Sequence, residues 1–310
     1  MTAILSTSQA ARVDFTWLEL TNQCNLHCVH CYAESSPQGG DDDLLTESDY
    51  LNLLQDIQDL GCRGVQFIGG EPTLNRSLKR LIHRASELGF SLIEVFTNLI
   101  QLPQDLLDTF VECQVAVATS FYSHDAAVHD AITMHPGSFE RTVSNMRRIL
   151  DANLRLRAGI IVMDQNRPHV TQTEEYLREL GVVDVGTDRL REFGRASDES
   201  TPEMTELCGN CAGGTLSISP SGIVSPCIMS KEWAVGSVLE SPLTDLVGSD
   251  RLSSVREQIY DRVVKPRKDG LDVFACTPDR PGSCNPDHGS TCYPCSPNTN
   301  CGPNDCRPKH

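Results

Sequence analysis

The apolar residues between positions 15 and 190 are spaced so that strands and helices are expected in alternation. Short apolar runs are typical of strands, whereas apolar residues that recur every three or four positions are typical of amphipathic helices. The clearest helix is Thr46–Leu60, in which several leucine and isoleucine residues share one face, Thr46 can cap the first turn and Gly61 suits the end.

The complete pattern contains about six strand–helix units. The predicted strands are Phe15–Thr21, Val65–Ile68, Leu92–Thr97, Val115–Tyr122, Leu154–Met163 and Val182–Val185. The predicted helices between them are Thr46–Leu60, Ser77–Leu88, Pro103–Val111, Ser138–Leu150 and His169–Leu180. Such alternation favours parallel strands joined by right-handed helical crossovers. Because a closed barrel has eight units, we predict an α/β fold with an open, partial (β/α)6 TIM-like barrel and an active site at the carboxyl ends of its strands.

The pattern changes after residue 195. Thr215–Ile218 and Ile223–Cys227 flank the turn sequence Ser219–Gly222, which predicts a β-hairpin. The tail Cys276–His310 contains six cysteines and seven prolines but almost no large apolar residue, so we expect that metal ions hold it or that it has no fixed fold. The predicted organisation is an N-terminal extension (1–14), a core domain (15–195) and a small cysteine-rich extension (196–310).

Charge and composition narrow the class of protein. The 310 residues include 42 acidic and 26 basic residues, a net charge of −16, which argues against nucleic acid or an anionic membrane as the main partner. Neither a long apolar run nor a secretory signal is found, so we expect a cytoplasmic protein without a membrane span. Fourteen cysteines in a reducing compartment favour metal or redox chemistry over disulfides.

Three of these cysteines, Cys24, Cys28 and Cys31, directly follow the first predicted strand. Three thiolates this close in sequence can bind three irons of a four-iron cube, which leaves the fourth iron open to a substrate or cofactor. Two alternatives stay open at this point: a zinc loop completed by His27 or His30, and three structural cysteines.

The segment Leu20–Tyr32, with its spacing Cys24-x3-Cys28-x2-Cys31, resembles the cluster motif of the radical S-adenosylmethionine (radical SAM) enzymes, and Gly69–Pro72 resembles their GGEP segment. The resemblance covers about residues 15–190. It implies that the three cysteines hold a [4Fe–4S] cluster, that S-adenosylmethionine chelates the fourth iron, and that its reductive cleavage gives a 5′-deoxyadenosyl radical that abstracts a substrate hydrogen. It also implies that the following residues bind the cofactor: Tyr32, Gly69, Gly70, Glu71, Pro72, Thr97, Asn98 and Ser120.

The second half resembles the SPASM extension of radical SAM enzymes, which holds two auxiliary [4Fe–4S] clusters. The resemblance implies two ligand sets: Cys208, Cys211, Cys227 and Cys306 for one cluster, and Cys292, Cys295 and Cys301 for the other, completed by Cys276 or Cys284. This chain departs from the family pattern, because four residues rather than three precede the last cysteine and no further cysteine follows it. A zinc ribbon or a single auxiliary cluster are the open alternatives. Cys276 and Cys284 are also candidate hydrogen-atom donors.

The resemblance implies an enzyme, and two classes of substrate fit it. Most SPASM-type relatives modify peptides, so the first hypothesis is crosslinking, epimerisation or oxidation of a ribosomally made peptide in natural-product biosynthesis. Only fourteen residues precede the first predicted strand, so a separate peptide-recognition protein, or none, is expected. The second hypothesis is a radical epimerase or dehydrogenase of a sugar or aminoglycoside, whose positive charge would suit the acidic chain. A third, a non-catalytic metal-binding protein, leaves the GGEP segment unexplained. A flavodoxin or ferredoxin is the implied electron donor.

The other polar residues receive simpler interpretations. Cys62 and Cys113 are expected to be small core residues. We expect surface positions for His124, His129 and His135, and a solvated loop for Asp41–Asp43.

Overall fold

The computed structural model describes residues 12–197 and 201–269. Its strands are β1 Val13–Glu19, β2 Gly64–Ile68, β3 Leu92–Phe96, β4 Ala116–Ser120, β5 Leu156–Val162, β6 Asp184–Arg189, β7 Gly214–Ile218, β8 Ile223–Ser225 and β9 Gly236–Ser237. They form one sheet in the order β6-β5-β4-β3-β2-β1-β7-β8-β9. Strands β1 to β6 are parallel to their neighbours. The sheet is open, with β6 and β9 at its edges, which confirms the predicted α/β fold with a parallel sheet.

Helices connect the parallel strands and follow the last ones. They are α1 Glu47–Asp59, α2 Leu78–Glu87, α3 Gln104–Glu112, α4 Ala126–Thr133, α5 Ser138–Asp151, α6 Val170–Leu180, α7 Leu243–Val247, α8 Asp250–Ile259 and α9 Lys265–Asp269, with a π turn at Tyr260–Val264. Short 3₁₀ turns lie at Pro72–Leu74, Arg167–His169, Gly194–Ala196, Met204–Glu206, Asn210–Ala212 and Lys231–Trp233. In the described part of the chain, none of the helices has both the length and the apolar character that crossing a membrane requires.

Helix α1 shows why the sequence signals were reliable here. Thr46 and Asp49 form a capping box, in which each side chain accepts a hydrogen bond from the other residue's backbone N–H. The apolar face predicted from the spacing is buried. Gly61 has a φ of +82°, the left-handed conformation that favours glycine after a helix.

The second part of the chain continues the sheet of the first. Strands β7 and β8 are antiparallel, which confirms the predicted hairpin. The pattern did not predict that β7 pairs in parallel with β1, so that this hairpin extends the core sheet. It also did not predict α4, which Asp125 caps by accepting from the N–H groups of Ala127 and Val128. Strand β1 begins at Val13, two residues before the predicted start.

The two faces of the sheet bury different partners because side chains alternate along a strand. Leu18 on β1 and Phe67 on β2 face a large apolar core that includes residues from the helices. On the opposite, inner face, Phe15 and Trp17 belong to a second apolar cluster that also contains Cys211 and Cys227. The second part of the chain therefore packs against the inner face of the sheet.

The inner face also carries a buried ion pair. Arg157 on β5 donates from Nε and Nη2 to the carboxylate of Glu94 on β3, at 2.9 and 2.8 Å, and both side chains are almost fully buried. Gln66 on β2 donates to the same carboxylate. The guanidinium lies 5.6 Å from the centre of the Phe96 ring. These contacts link three strands across the inner face of the sheet.

Candidate functional site

The loop that follows β1 brings Cys24, Cys28 and Cys31 together at the carboxyl end of the sheet. We call these residues the first cysteine trio. The loop is closed by a hydrogen bond from Cys24 N–H to Ser36 O of 2.9 Å. The Cys24 sulfur accepts two hydrogen bonds, from Leu26 N–H at 3.4 Å and from Asn98 Nδ2 at 3.8 Å. Hydrogen bonds onto sulfur are among the contacts that stabilise cluster thiolates.

The thiols of the first cysteine trio are close enough to affect one another's ionisation. Desolvation, with the nearby Glu71 carboxylate, raises the pKa of Cys24 to about 12. Desolvation and the neighbouring Cys31 raise the pKa of Cys28 to about 12. Three adjacent thiolates therefore need a positively charged group to hold them deprotonated, and a bound iron cluster is such a group.

The donor set of the first cysteine trio fits an iron–sulfur cube, because such cubes are bound by cysteine thiolates. Among residues 12–197 and 201–269, no group of three or more His, Cys, Asp or Glu side chains has the geometry to hold one ion.

The Gly69–Pro72 segment lies directly against the start of the cysteine loop. Gly70 N–H donates to Thr21 O at 2.7 Å, and Glu71 N–H donates to Gln23 O at 2.9 Å. A Cβ on Gly70 would lie 2.2 Å from Gln23 O, and one on Gly69 would lie 2.5 Å from Thr21 O. The two glycines thus permit the close approach of two backbone segments, a reason for glycine beyond the predicted contact with a cofactor.

Glu71 joins this segment to the end of β3. Its carboxylate is fully buried and accepts four hydrogen bonds: from the N–H and hydroxyl of Thr73 at 3.1 and 2.8 Å, from the Thr97 hydroxyl at 2.7 Å, and from Asn98 N–H at 2.8 Å. Desolvation raises the pKa of Glu71, and the hydrogen bonds oppose that shift. Asn98 in turn donates to Asn25 Oδ1 at 2.7 Å. Glu71, Thr97 and Asn98 therefore position the cysteine loop, whatever further contacts they make with a cofactor.

A tyrosine that the sequence analysis did not select completes this side of the site. The hydroxyl of Tyr122, two residues beyond β4, hydrogen-bonds Ser120 and Cys28, and desolvation raises its pKa well above the ordinary value. His30 packs edge-on against Tyr122 with 5.0 Å between the ring centres. Burial and the Arg195 charge lower the pKa of His30 to about 4, so it is neutral at neutral pH.

A cavity of about 380 Å³ lies at the end of the cysteine loop. The residues that line it include Tyr32, Phe193, Ile228, Met229 and Lys231. Lys231 lies above the ring of Tyr32, 6.0 Å from its centre. The cavity therefore lies between the cysteine loop and the segment that follows β8, and the predicted cofactor residue Tyr32 forms part of its wall.

A buried carboxylate fixes Lys231 beside this cavity. Glu19, at the end of β1, is fully buried and accepts from Lys231 Nζ at 2.7 Å and from the Ser217 hydroxyl at 3.2 Å. The Glu19 carbonyl accepts from the Tyr50 hydroxyl at 2.7 Å. This network ties the second part of the chain to the end of the strand that leads into the cysteine loop.

A second group of thiols lies on the inner face of the sheet. Cys208, Cys211 and Cys227, which we call the second cysteine trio, interact electrostatically, and the Cys211 and Cys227 thiols hydrogen-bond each other. This hydrogen bond, together with burial, raises the pKa of Cys211 far above its ordinary value. The structure thus brings together three of the four predicted ligands of one auxiliary cluster. The remaining predicted cysteines lie outside the described residues: Cys276, Cys284, Cys292, Cys295, Cys301 and Cys306.

Two simpler expectations were wrong. His129 is 1% exposed and packs between Phe121 and Tyr122, because it lies on the buried face of the unpredicted helix α4. Within the acidic run, Asp43 is not merely solvated, since it accepts from the Thr21 hydroxyl and from Asn22 N–H and so anchors the start of the cysteine loop. Cys62 and Cys113 are buried, as expected.

Comparison with known proteins identifies both parts of the chain. A family model described as the radical SAM superfamily matches residues 18–177, and one described as the SPASM iron–sulfur cluster-binding domain matches residues 208–269. The first match covers the loop with the first cysteine trio, and the second covers the second cysteine trio.

Individual relatives agree with these matches. The antilisterial bacteriocin subtilosin biosynthesis protein AlbA of Bacillus subtilis is 25% identical over 74% of this chain and 58% of that protein. The sporulation killing factor maturation protein SkfB of the same organism is 23% identical over 77% of this chain and 66% of that protein. The chain thus spans under two thirds of either relative. Streptococcus suis SuiB, in a crystal structure with the precursor peptide SuiA, has a TM-score of 0.67 at 13% identity, over 81% of this chain and 68% of that chain, and so shares the fold.

Proposed function

We propose, because this chain belongs to the radical SAM superfamily, that it holds a [4Fe–4S] cluster on Cys24, Cys28 and Cys31 and uses it to modify a ribosomally made peptide. The observation that carries the proposal is the position of the first cysteine trio. The loop is held at the carboxyl end of the sheet by Gly70, Glu71 and Asn98, where enzymes with parallel α/β folds place their active sites.

A cluster held by Cys24, Cys28 and Cys31, with S-adenosylmethionine and one electron from a flavodoxin- or ferredoxin-type donor, would supply a 5′-deoxyadenosyl radical for removal of a hydrogen atom from the substrate. The chain's own residues bind and orient. Cys24 receives donors from Leu26 N–H and Asn98, which orient its sulfur. Glu71 joins the Gly69–Pro72 segment to the end of β3, since it accepts from the Thr97 hydroxyl and from Asn98 N–H.

The polar residues at the strand ends are the proposed cofactor contacts. The following residues form or border the carboxyl end of the sheet: Tyr32, Gly69, Gly70, Glu71, Pro72, Thr97, Asn98 and Ser120. Tyr122 links the end of β4 to the cysteine loop, since its hydroxyl contacts both Ser120 and Cys28. The buried Arg157–Glu94 pair links β3 and β5 across the inner face of the sheet.

We further propose that Cys208, Cys211 and Cys227 hold an auxiliary cluster, in which Cys306 is the fourth ligand. Cys211 and Cys227 lie in an apolar cluster and Cys208 is half-buried beside them, and buried thiolates are stable only when a metal centre or another positive charge compensates them. The SPASM match over residues 208–269 supports this role. A second auxiliary cluster on Cys292, Cys295 and Cys301, completed by Cys276 or Cys284, stays a proposal from the sequence alone, as does a hydrogen-donor role for Cys276 or Cys284.

A peptide is the proposed substrate because of the proteins that resemble this chain. AlbA and SkfB are named for bacteriocin biosynthesis and for maturation of a killing factor, and SuiB has been crystallised with a precursor peptide. These names favour a peptide over the sugar or aminoglycoside alternative. The cavity beside Tyr32 and Lys231 is lined by residues adjacent in sequence to Cys31 and Cys227, and its volume of about 380 Å³ suits a single amino-acid side chain or a short segment.

The test is product analysis with defined candidate peptides. The anaerobically reconstituted protein is incubated with reductant, S-adenosylmethionine and each short peptide encoded beside its gene, in ordinary and in deuterated water. Loss of two hydrogens from a peptide indicates a crosslink or oxidation, and uptake of one deuterium without a change in composition indicates epimerisation. Turnover of an aminoglycoside, with no peptide modified, would contradict the proposed substrate.

A further inference from the structure

We infer that one arginine accompanies each cysteine trio as the positive charge that compensates its cluster: Arg195 for the first trio and Arg256 for the second. The inference rests on the proposed function, because it requires that both trios hold clusters. In this role, each arginine sets the reduction potential of the cluster that it accompanies.

Arg195 is built into the loop of the first cysteine trio. It donates from Nε to Cys28 O at 2.8 Å and from Nη2 to Ser35 O at 2.9 Å, and its backbone N–H donates to Cys31 O at 3.1 Å. Gly194 makes this approach possible: its φ is +54°, and a Cβ there would lie 2.4 Å from Cys31 O. The guanidinium is thus held against the loop by backbone carbonyls, which leaves its charge available.

The charge of Arg195 acts on the loop itself. The Arg195 Nε lies 2.8 Å from Cys28 O, so the guanidinium charge is held beside a ligand of the proposed cluster. Within residues 12–197 and 201–269, Arg195 forms no ion pair with a carboxylate.

Arg256 has the corresponding position at the second cysteine trio. It lies on α8, is 1% exposed and donates from Nη2 to Thr215 O at 2.9 Å. Helix α8 packs against the 3₁₀ turn that carries Cys211, and Val255 and Ile259 share an apolar cluster with Cys211 and Cys227. Burial lowers the pKa of Arg256 to about 10, and the charges of Cys211 and Asp14 oppose this shift, so the guanidinium stays charged at neutral pH.

The physical consequence follows from net charge. A four-iron cluster with thiolate ligands is negatively charged, and reduction adds one more negative charge in a region of low dielectric constant. A fixed guanidinium nearby stabilises the reduced state more than the oxidised state and so raises the reduction potential. Arginine suits this role because it keeps its charge when buried.

The experiment is a redox titration of the anaerobically reconstituted full chain, followed by electron paramagnetic resonance, with Arg195→Gln, Arg256→Gln and the charge-retaining Lys variants. We expect Arg256→Gln to lower the reduction equilibrium constant of the auxiliary cluster at least tenfold, about 59 mV for one electron, with the first cluster unchanged. Arg195→Gln should do the reverse, and the Lys variants should retain both potentials. Arg148→Gln is the control, because Arg148 also donates to a backbone carbonyl, that of Leu102, in another part of the fold.

The outcomes separate this inference from the proposed function. Absence of clusters from the unchanged protein would defeat the proposed function itself. Clusters whose potentials do not move in the Gln variants, or move together in both, would overturn only the inference. If a Gln variant loses its cluster, iron content decides: loss confined to one cluster and restored by Lys supports charge compensation, whereas loss that Lys does not restore contradicts it.

Discussion

Substitution of Gly70 by alanine tests whether the GGEP segment positions the first cysteine trio. The new Cβ would lie 2.2 Å from Gln23 O and 2.7 Å from Gln23 C, both backbone atoms. To reach 3.0 Å, below which Cβ atoms are not found, the two backbones must separate by about 0.8 Å. That movement lengthens the hydrogen bond from Glu71 N–H to Gln23 O, now 2.9 Å, and displaces the adjacent Cys24.

The expected cost has two parts. Overpacking of a tight contact costs about 1–3 kcal/mol, and a weakened buried hydrogen bond costs about 1 kcal/mol. The free energy of unfolding of the cluster-free protein should therefore fall by about 2–4 kcal/mol. Since misplacement of reacting groups by about 1 Å can cost about a hundredfold in rate, 5′-deoxyadenosine formation should fall by a similar factor.

The assay pairs urea unfolding with 5′-deoxyadenosine formation, and Gly186→Ala is the matched control. Gly186 lies within β6, its φ is not positive, and a Cβ there meets nothing within 4 Å. The control should therefore keep both stability and rate. Equal stability and rate for Gly70→Ala and the unchanged protein would refute the positioning argument.

Three further substitutions test other parts of the site. Glu71→Gln places an amide N–H₂ among four hydrogen-bond donors and should lower the free energy of unfolding by about 1–3 kcal/mol; no change in urea unfolding would contradict this. Arg157→Met leaves the Glu94 carboxylate buried without its partner and should cost about 3–5 kcal/mol, most of it recovered when Glu94→Leu is added; a double variant no better than the single would count against the pair. Folding raises the pKa of Cys28 from 9.0 to about 12, so the contribution of this thiol to the stability of the cluster-free protein is present below pH 9 and lost as the pH approaches 12. Between pH 9 and pH 12, the free energy of unfolding should therefore fall less steeply for Cys28→Ala than for the unchanged protein.

Local signals in the sequence predicted the strands, the caps of α1 and the place of the cysteine loop, because each depends on residues close together in the chain. The resemblance to radical SAM enzymes also implied that the GGEP segment and the end of β3 belong to one site. Contacts between distant segments gave no such signal. Arg195 donates a hydrogen bond to Cys28, which is 167 positions away in the sequence, and Lys231 donates one to Glu19, which is 212 positions away. The pairing of β7 with β1 brings the segment that contains Lys231 close to Glu19.

The residues that were misjudged depend on structure that the pattern did not reveal. His129 was expected on the surface because α4, only eight residues long, was not recognised, and its buried face was therefore missed. Tyr122 was predicted as the last residue of a strand, and nothing in its neighbourhood in sequence indicated that its hydroxyl would contact Cys28. Asp43 followed two other aspartates, and a run of like charges does not show which member folds back onto the chain.

The most direct test of the central claim measures 5′-deoxyadenosine formed from S-adenosylmethionine under anaerobic reduction. The unchanged protein and a Cys62→Ala/Cys113→Ala variant, which alters two buried cysteines outside both trios, are predicted to form it at similar rates. The Cys24→Ala/Cys28→Ala/Cys31→Ala variant is predicted to form none while retaining its fold by circular dichroism. Formation of 5′-deoxyadenosine by that folded triple variant at the rate of the unchanged protein would contradict the account.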